Sequence, residues 1–282
     1  MSKIAVIGGG SFGTVIANII ALNGHDVQFW MRSSELVNEV NENQENNQYL
    51  PGYSLSKKVV ATVNMADAVT KASLIFVAVP SSSFREVVKQ IVVFAPDDAM
   101  LISTTKGIEP GNFKLMSQVL HEESPSSGIG VLSGPNLAKE IASKHPTGTV
   151  IASNNEQIRE TVKDVLRSDT FRVYTNDDMF GIELGGSLKN IYAIIAGLAA
   201  SIGTGHNTNS MLVTRALAEM ARFGRELGAD PMTFLGLAGV GDLVVTCSTP
   251  LSRNYRIGQA LGEGLSIEQA LNEVCLLYTS DA

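Results

Sequence analysis

Two lysines, one aspartate and a short polar run are the residues of this chain whose types and settings could do chemistry. Lys106 stands in "STTKGIEPG" (103–111), directly after an apolar run that reads as a strand. Ligands of open α/β sheets collect at the carboxyl ends of strands, so Lys106 is either a solvated loop charge or a group facing a ligand. Lys189 stands in "LGGSLKN" (184–190), early on an apolar helix. A lysine on a small-residue face is costly to bury unless it has a task, and acid–base work is such a task. Asp242, in "GVGDLVVTC" (239–247), is either a helix N-cap or an acceptor for a substrate hydroxyl. "SRNYR" (252–256) gathers a hydroxyl, two guanidiniums and an amide, a set suited to gripping phosphate. In "LSGPNLAKE" (132–140), Gly134 and Asn136 precede a helix start, which is either an anion-friendly N-terminus or only a cap at Asn136.

The elements that must position these groups are legible from the N-terminus onward. "VIGGGSFGTVIA" (6–17) follows a β-branched run and leads into a helix, and a second strand spans 26–30. Gly8, Gly10 and Gly13 fit G-x-G-x-x-G. In that pattern the first glycine makes the tight turn, the second lets backbone approach a pyrophosphate, and the third packs helix on strand. The surrounding βαβ unit favours dinucleotide binding over a merely structural glycine turn. The second strand ends Trp30-Met31-Arg32-Ser33, with a guanidinium where NAD-preferring sites usually place a carboxylate. Arg32 is either a partner for a 2′-phosphate or adenine, which favours NADPH with NADH second, or a solvated surface arginine.

Apolar strands at 74–79, 99–104 and 128–134 alternate with helical spacing, as at 84–94. Continuous apolar strands of this kind predict a doubly wound, mostly parallel sheet covered on both faces. The rhythm changes near Asn176. Leu184, Leu188, Ile191, Tyr192, Ile195, Leu198 and Ile202 fall three or four apart, opposite Lys189, Ala193, Ala196 and Ala200. A helix apolar or small nearly all round is expected to be buried. Later helices fit 210–226 and 267–273. The reading is a dinucleotide-binding domain over 1–180 and an all-α substrate domain over 181–282. The stretch "NENQENNQYL" (41–50) reads as a solvated helix end and loop.

Bulk properties narrow the function. The chain has 282 residues, 44% hydrophobic and 17% charged, with a net charge of −7. That balance argues against a general nucleic-acid binder, so any anion must be held by local donors. Two cysteines form no framework and suit a reducing compartment. The four histidines have no ligand spacing, so no metal site is expected. The apolar stretch 191–202 is too short to span a membrane, and the N-terminal run is broken by glycines before any cleavage site. The expectation is a cytoplasmic protein.

Taken in order, the glycine turn, "LPG", "VAVPS", "TTKGIEP", "LSGPNLAKEI", "FRVYTNDDMFGIELGGSLKNIYAI", "TRALAEMARFG" and "GLAGVGDLVVTCSTPLSRNYRIG" resemble bacterial-type NAD(P)-dependent glycerol-3-phosphate dehydrogenases. The resemblance runs from about Lys3 to about Glu273. It implies a Rossmann domain followed by an all-α domain, and reduction of dihydroxyacetone phosphate to sn-glycerol 3-phosphate for phospholipid synthesis. It also implies that Lys189 is the proton donor or acceptor and that Lys106 orients cofactor and substrate. Substrate contacts would come from Lys106, Gly134, Asn136, Lys189, Asp242, Ser252, Arg253 and Asn254. Cofactor contacts would come from Gly8, Gly10, Ser11, Phe12, Gly13, Arg32, Ser33, Tyr49, Lys106, Ala138 and Arg253. Asn136 departs from the Ser or Thr more usual there.

The partner is then a small phosphorylated triose, with a homodimer expected and no nucleic acid or membrane insertion. Two other readings compete: another two-domain NADP reductase of a small keto acid, and a non-catalytic dinucleotide sensor. The resemblance stops before "CLLYTSDA" (275–282), a tail that looks foreign. The second domain is therefore expected to be truncated, with apolar surface of the 191–202 helix uncovered, poor activity, and rescue by a family-like C-terminal extension.

Overall fold

The computed structural model describes residues 3–280, with side chains for 3–274. The tail from Cys275, including its foreign look, falls outside the described side chains. The chain divides into two compact units, Met1–Met179 and Phe180–Ala282.

The first unit is a sheet of eight strands in the order β3-β2-β1-β4-β5-β6-β7-β8. The strands are β1 (Lys3–Ile7), β2 (Val27–Trp30), β3 (Val59–Thr62), β4 (Ala72–Val77), β5 (Met100–Ser103), β6 (Gly128–Ser133), β7 (Thr147–Ala152) and β8 (Phe171–Asn176). All neighbours pair in parallel except β6 and β7. Its helices are α1 (Ser11–Leu22), α2 (Ser34–Asn43), α3 (Met65–Val69), α4 (Ser81–Val92), α5 (Met116–Glu123), α6 (Ala138–Ala142) and α7 (Glu156–Leu166).

Alternation along β1 divides the core. Ile4 and Val6 join the layer under α1 and α7, while Ala5 and Ile7 join the layer under α3, α4 and α5. Both faces of the sheet are therefore covered, as continuous apolar strands require. The strand order reverses between β1 and β4, so the carboxyl ends of those two strands flank the switch point where ligands of this fold class bind.

The second unit is helical: α8 (Met179–Ser201), α9 (His206–Glu226), α10 (Asp242–Cys247), α11 (Arg253–Gly262) and α12 (Ile267–Ser280). A 3-10 turn (Pro231–Leu235) and a π-helical turn (Leu237–Gly241) lead into α10. Among the described residues, no helix is long and apolar enough to cross a membrane.

Two expectations are corrected. α8 is not buried all round: Gly185, Gly186, Lys189, Ala193, Ala196 and Gly197 face the core. Ile191, Ile195, Leu198 and Ile202 are 39–63% exposed. On the opposite side the small residues let neighbouring backbone approach. A Cβ on Gly197 would lie 1.9 Å from the Tyr255 carbonyl oxygen, and one on Gly258 would lie 2.0 Å from that of Ile194. The stretch 41–50 is also not simply solvated, because Asn46 is fully buried and Leu50 is 3% exposed.

Candidate active site

In the first unit the glycine turn follows β1. Gly8 has φ +124°, and a Cβ there would lie 2.3 Å from the Ala78 carbonyl oxygen. A Cβ on Gly13 would lie 2.0 Å from the Gly8 oxygen. Both positions exclude any larger residue. Over Gly10 there is open space, with nothing within 4 Å of a Cβ position. Gly10 also precedes α1 without a side-chain cap, and the first turn of α1 carries no acidic residue. The turn therefore offers an open face and backbone N–H groups, which fits a dinucleotide pyrophosphate.

The Ser11 hydroxyl donates to the Tyr49 carbonyl at 2.8 Å, and Phe12 is half-buried against the core. Ser33 caps α2, accepting from the Leu36 N–H at 3.2 Å, and donates to Glu35 Oε2 at 2.6 Å. That hydroxyl holds the Glu35 carboxyl below the ordinary carboxylate range. Arg32 is exposed beside it. The second strand ends without a carboxylate, but one enters three residues after Arg32, at Glu35 on α2.

Lys106 and Gly134 meet: Lys106 Nζ donates to the Gly134 carbonyl at 2.6 Å. Asn136 is not a cap, because the N-cap of α6 is Leu137 and Ala138 begins the helix. The Asn136 Nδ2 instead donates to Thr149 Oγ1 at 2.9 Å, and Thr149 Oγ1 donates to the Ser133 carbonyl at 3.0 Å. Asn136 Oδ1 and Ser133 Oγ are buried polar atoms with no protein partner. They are two polar atoms a ligand with hydroxyl groups could satisfy.

The Lys106 loop is tied down from below. Thr105 Oγ1 donates to the Val79 carbonyl at 2.6 Å, and Arg85 on α4 binds Glu109 at 2.5 Å as well as Glu122 and Glu123 at the end of α5. The Arg85 guanidinium holds the Glu109 carboxyl at about 2, well below its ordinary 4.5. A depressed carboxylate contributes stability above its unfolded value, and that contribution is lost as pH falls through the folded one. Wild-type melting temperature is thus expected to fall between about pH 4.5 and about pH 2. Arg85→Leu should flatten that fall, as read by melting curves across the window. Parallel losses in both proteins would show that the pair contributes nothing.

In the second unit Lys189 is 6% exposed. Its Nζ donates to Asp242 Oδ1 at 2.5 Å and to Thr246 Oγ1 at 2.7 Å. Thr246 Oγ1 donates in turn to the Asp242 backbone carbonyl at 2.5 Å. Asp242 is the first residue of α10 and 1% exposed, so its carboxylate serves the lysine. Two glycines make this meeting possible. A Cβ on Gly185 would lie 2.9 Å from the Ala238 carbonyl oxygen, and one on Gly239 would lie 2.1 Å from that of Phe234. Thr246 escaped the sequence reading; its only signal there is its place one turn after Asp242. Burial pushes the neighbouring Cys247 thiol up to about 11, so it stays protonated and is no nucleophile.

The "SRNYR" run opens α11. Ser252 is its N-cap, accepting from the Tyr255 N–H at 3.3 Å. Arg253 is exposed, and Asn254 Nδ2 donates to Asn190 Oδ1 at 2.8 Å. Asn190 is the residue after Lys189, so the start of α11 is pinned beside the lysine. The close crossing of α8 and α11 through Gly197 and Gly258 sets that spacing.

Comparisons with known proteins agree with this geometry. The family model for the NAD-dependent glycerol-3-phosphate dehydrogenase N-terminus matches residues 3–159, and the model for its C-terminus matches 178–278. A glycerol-3-phosphate dehydrogenase [NAD(P)+] of Alcanivorax borkumensis is 54% identical over 277 residues, covering 98% of this chain and 80% of that one. That of Azotobacter vinelandii is 55% identical, covering 95% and 78%. A crystal structure of glycerol-3-phosphate dehydrogenase from Coxiella burnetii superposes with a TM-score of 0.93 at 37% identity, covering 99% and 87%.

Proposed function

Since the chain belongs to the NAD-dependent glycerol-3-phosphate dehydrogenase family, we propose that it reduces dihydroxyacetone phosphate to sn-glycerol 3-phosphate with NAD(P)H, reversibly, for phospholipid synthesis. The observation that carries this reading is the buried Lys189–Asp242–Thr246 cluster. A dinucleotide sensor needs the glycine turn but no buried, oriented proton donor.

When bound, the nicotinamide supplies a hydride to the ketone carbon. As negative charge grows on the ketone oxygen, Lys189 neutralises it and delivers the proton. Asp242 and Thr246 hold the Lys189 Nζ in place and aim it. Lys106, Gly134 and Asn136 orient the substrate and the nicotinamide end of the cofactor. Arg253 and Asn254 hold the phosphate, so binding energy remote from the carbonyl positions it. Gly8, Gly10, Ser11, Phe12, Gly13, Arg32, Ser33, Tyr49, Ala138 and Arg253 hold the cofactor. Ser252 supports the site by fixing the start of α11. Turnover with a phosphorylated triose, against an unphosphorylated keto acid such as ketopantoate, tests the substrate class. Preference for the keto acid would overturn it.

The cofactor preference is part of the proposal. Arg32 favours NADPH through its 2′-phosphate, while the Glu35 carboxylate near Ser33 works against that phosphate. NADPH is therefore used at least as well as NADH, and Arg32→Asp should shift the ratio of kcat/KM values toward NADH by about 10-fold, the scale of one charge-assisted contact. An unchanged ratio would make Arg32 a bystander. The remaining parts of the proposal are a homodimer, supported by the exposed apolar face of α8, and a cytoplasmic setting, supported by the two unframed cysteines. Light scattering after size exclusion tests the first.

A further inference from the structure

The loop after α2 is bound to the glycine turn by Asn46 and Thr14, side chains that neither the proposed catalysis nor the proposed cofactor contacts use. Asn46 is fully buried. Its Nδ2 donates to the Gly9 carbonyl at 2.9 Å and to Thr14 Oγ1 at 2.8 Å. Thr14, also fully buried, relays the bond, its Oγ1 donating to the Gly10 carbonyl at 2.9 Å. The loop closes on itself and on the turn. The Asn46 carbonyl accepts from the N–H groups of Tyr49 at 3.2 Å and Leu50 at 2.8 Å, and the Tyr49 carbonyl accepts from Ser11.

A pyrophosphate is attracted by N–H groups and repelled by carbonyl oxygens. Consecutive glycines have no side chains to fix the direction of their peptide planes. A Gly9 or Gly10 carbonyl swung toward the ligand would put an acceptor where a donor is needed. Asn46 occupies the Gly9 carbonyl from the protein side, while the Gly10 carbonyl takes the Thr14 N–H at 2.9 Å as the first acceptor of α1 and the Thr14 hydroxyl besides. The Asn46 Oδ1, meanwhile, is buried with no partner. A buried acceptor left unpaired is destabilising, so packing alone would favour an apolar residue of similar size here. The amide is explained by the bonds that its Nδ2 makes.

We infer that Asn46 is a positioning residue for the dinucleotide, holding the Gly9 carbonyl directly and bracing, through the Thr14 hydroxyl, the Gly10 carbonyl that α1 already binds, so that the N–H face of the turn is presented to the pyrophosphate. This rests on the dinucleotide reading of the glycine turn. The pyrophosphate is common to NADH and NADPH, so Asn46 sets the affinity for both and the preference for neither, unlike Arg32.

The test is titration of the full chain with NADPH and with NADH, followed by fluorescence or calorimetry. Asn46→Leu should raise both Kd values about 10-fold, the scale of one hydrogen bond's net contribution, and leave their ratio unchanged. The loss should appear in the dinucleotide Kd and not in the KM for the triose at saturating cofactor. Thr14→Val should reproduce it, Thr14→Ser should bind like wild type, and the double variant Asn46→Leu/Thr14→Val should cost no more than either single change, since both break one latch. Wild-type-like binding by a folded Asn46→Leu protein, or a triose KM that rises in step with the Kd, would overturn the inference. Should Asn46→Leu not fold, equal Kd values for Thr14→Val and Thr14→Ser would overturn it. Failure of the wild-type chain to bind either dinucleotide would overturn the dinucleotide reading itself, and this inference with it.

Discussion

Replacing Lys189 with alanine is expected to lower turnover on the order of 10²-fold or more, the usual scale for a positioned general acid. Its ammonium is the buried donor held at 2.5 Å by Asp242 and 2.7 Å by Thr246, so no solvent molecule can simply take its place. Binding of NADPH should survive, because the glycine turn belongs to the other unit. A primary amine such as methylammonium should restore part of the lost rate, since it returns a donor of the same chemistry to the vacated volume. Steady-state turnover with a parallel cofactor titration checks this. Near-normal turnover in Lys189→Ala would move the acid role to Lys106.

The second large effect is on stability. Asp242→Ala leaves the Lys189 ammonium in the interior without its carboxylate, and breaking one side of a buried pair costs about 3–5 kcal/mol. The Lys189 and Asp242 side chains are 7% and 2% exposed, so solvent screens the pair little. Denaturant unfolding should show a loss of that size. The double change Lys189→Met/Asp242→Leu should recover much of the stability while leaving the protein inactive, because the interior then holds neither charge. A loss below about 1 kcal/mol for Asp242→Ala would place the pair in the weak class of solvent-exposed bridges.

The parts of the site that were legible in the sequence are those that impose a demand on a single residue. Gly8 and Gly13 have no room for a Cβ, and that requirement is written as glycine wherever it holds. Lys106, Lys189 and Asp242 stood out as costly or oddly placed groups, and the structure joins two of them. What pattern could not supply is their meeting: Lys189 and Asp242 are 53 residues apart, brought together by a π-helical turn that no periodicity announces. Asn46 looked solvated because its neighbours are polar, while its burial depends on the glycine turn 37 residues earlier.

α8 teaches the opposite lesson. Its spacing of large apolar residues was read as a surface for burial, expected to lie uncovered in this chain, and those residues are exposed while packing uses the glycine and alanine side. Backbone-to-backbone approach between α8 and α11 needs the absence of side chains at Gly197 and Gly258. Apolar periodicity marks where large side chains lie, and a stripe of small residues marks where another helix can come closest. Likewise β3 and β8, with partly exposed faces, and β7, which opens Thr-Gly-Thr, lack the continuous apolar run that made β4 and β5 plain.

Hydride transfer between NAD(P)H and a phosphorylated triose can be followed directly in this chain. The direct measurement follows the absorbance of reduced cofactor when dihydroxyacetone phosphate is added to the wild-type chain, with the product identified by mass. The expected result is triose-dependent oxidation of NADPH with formation of sn-glycerol 3-phosphate, and the reverse reaction with glycerol 3-phosphate and oxidised cofactor. Tight cofactor binding with no oxidation by the triose, under conditions where a small keto acid is reduced, would contradict it.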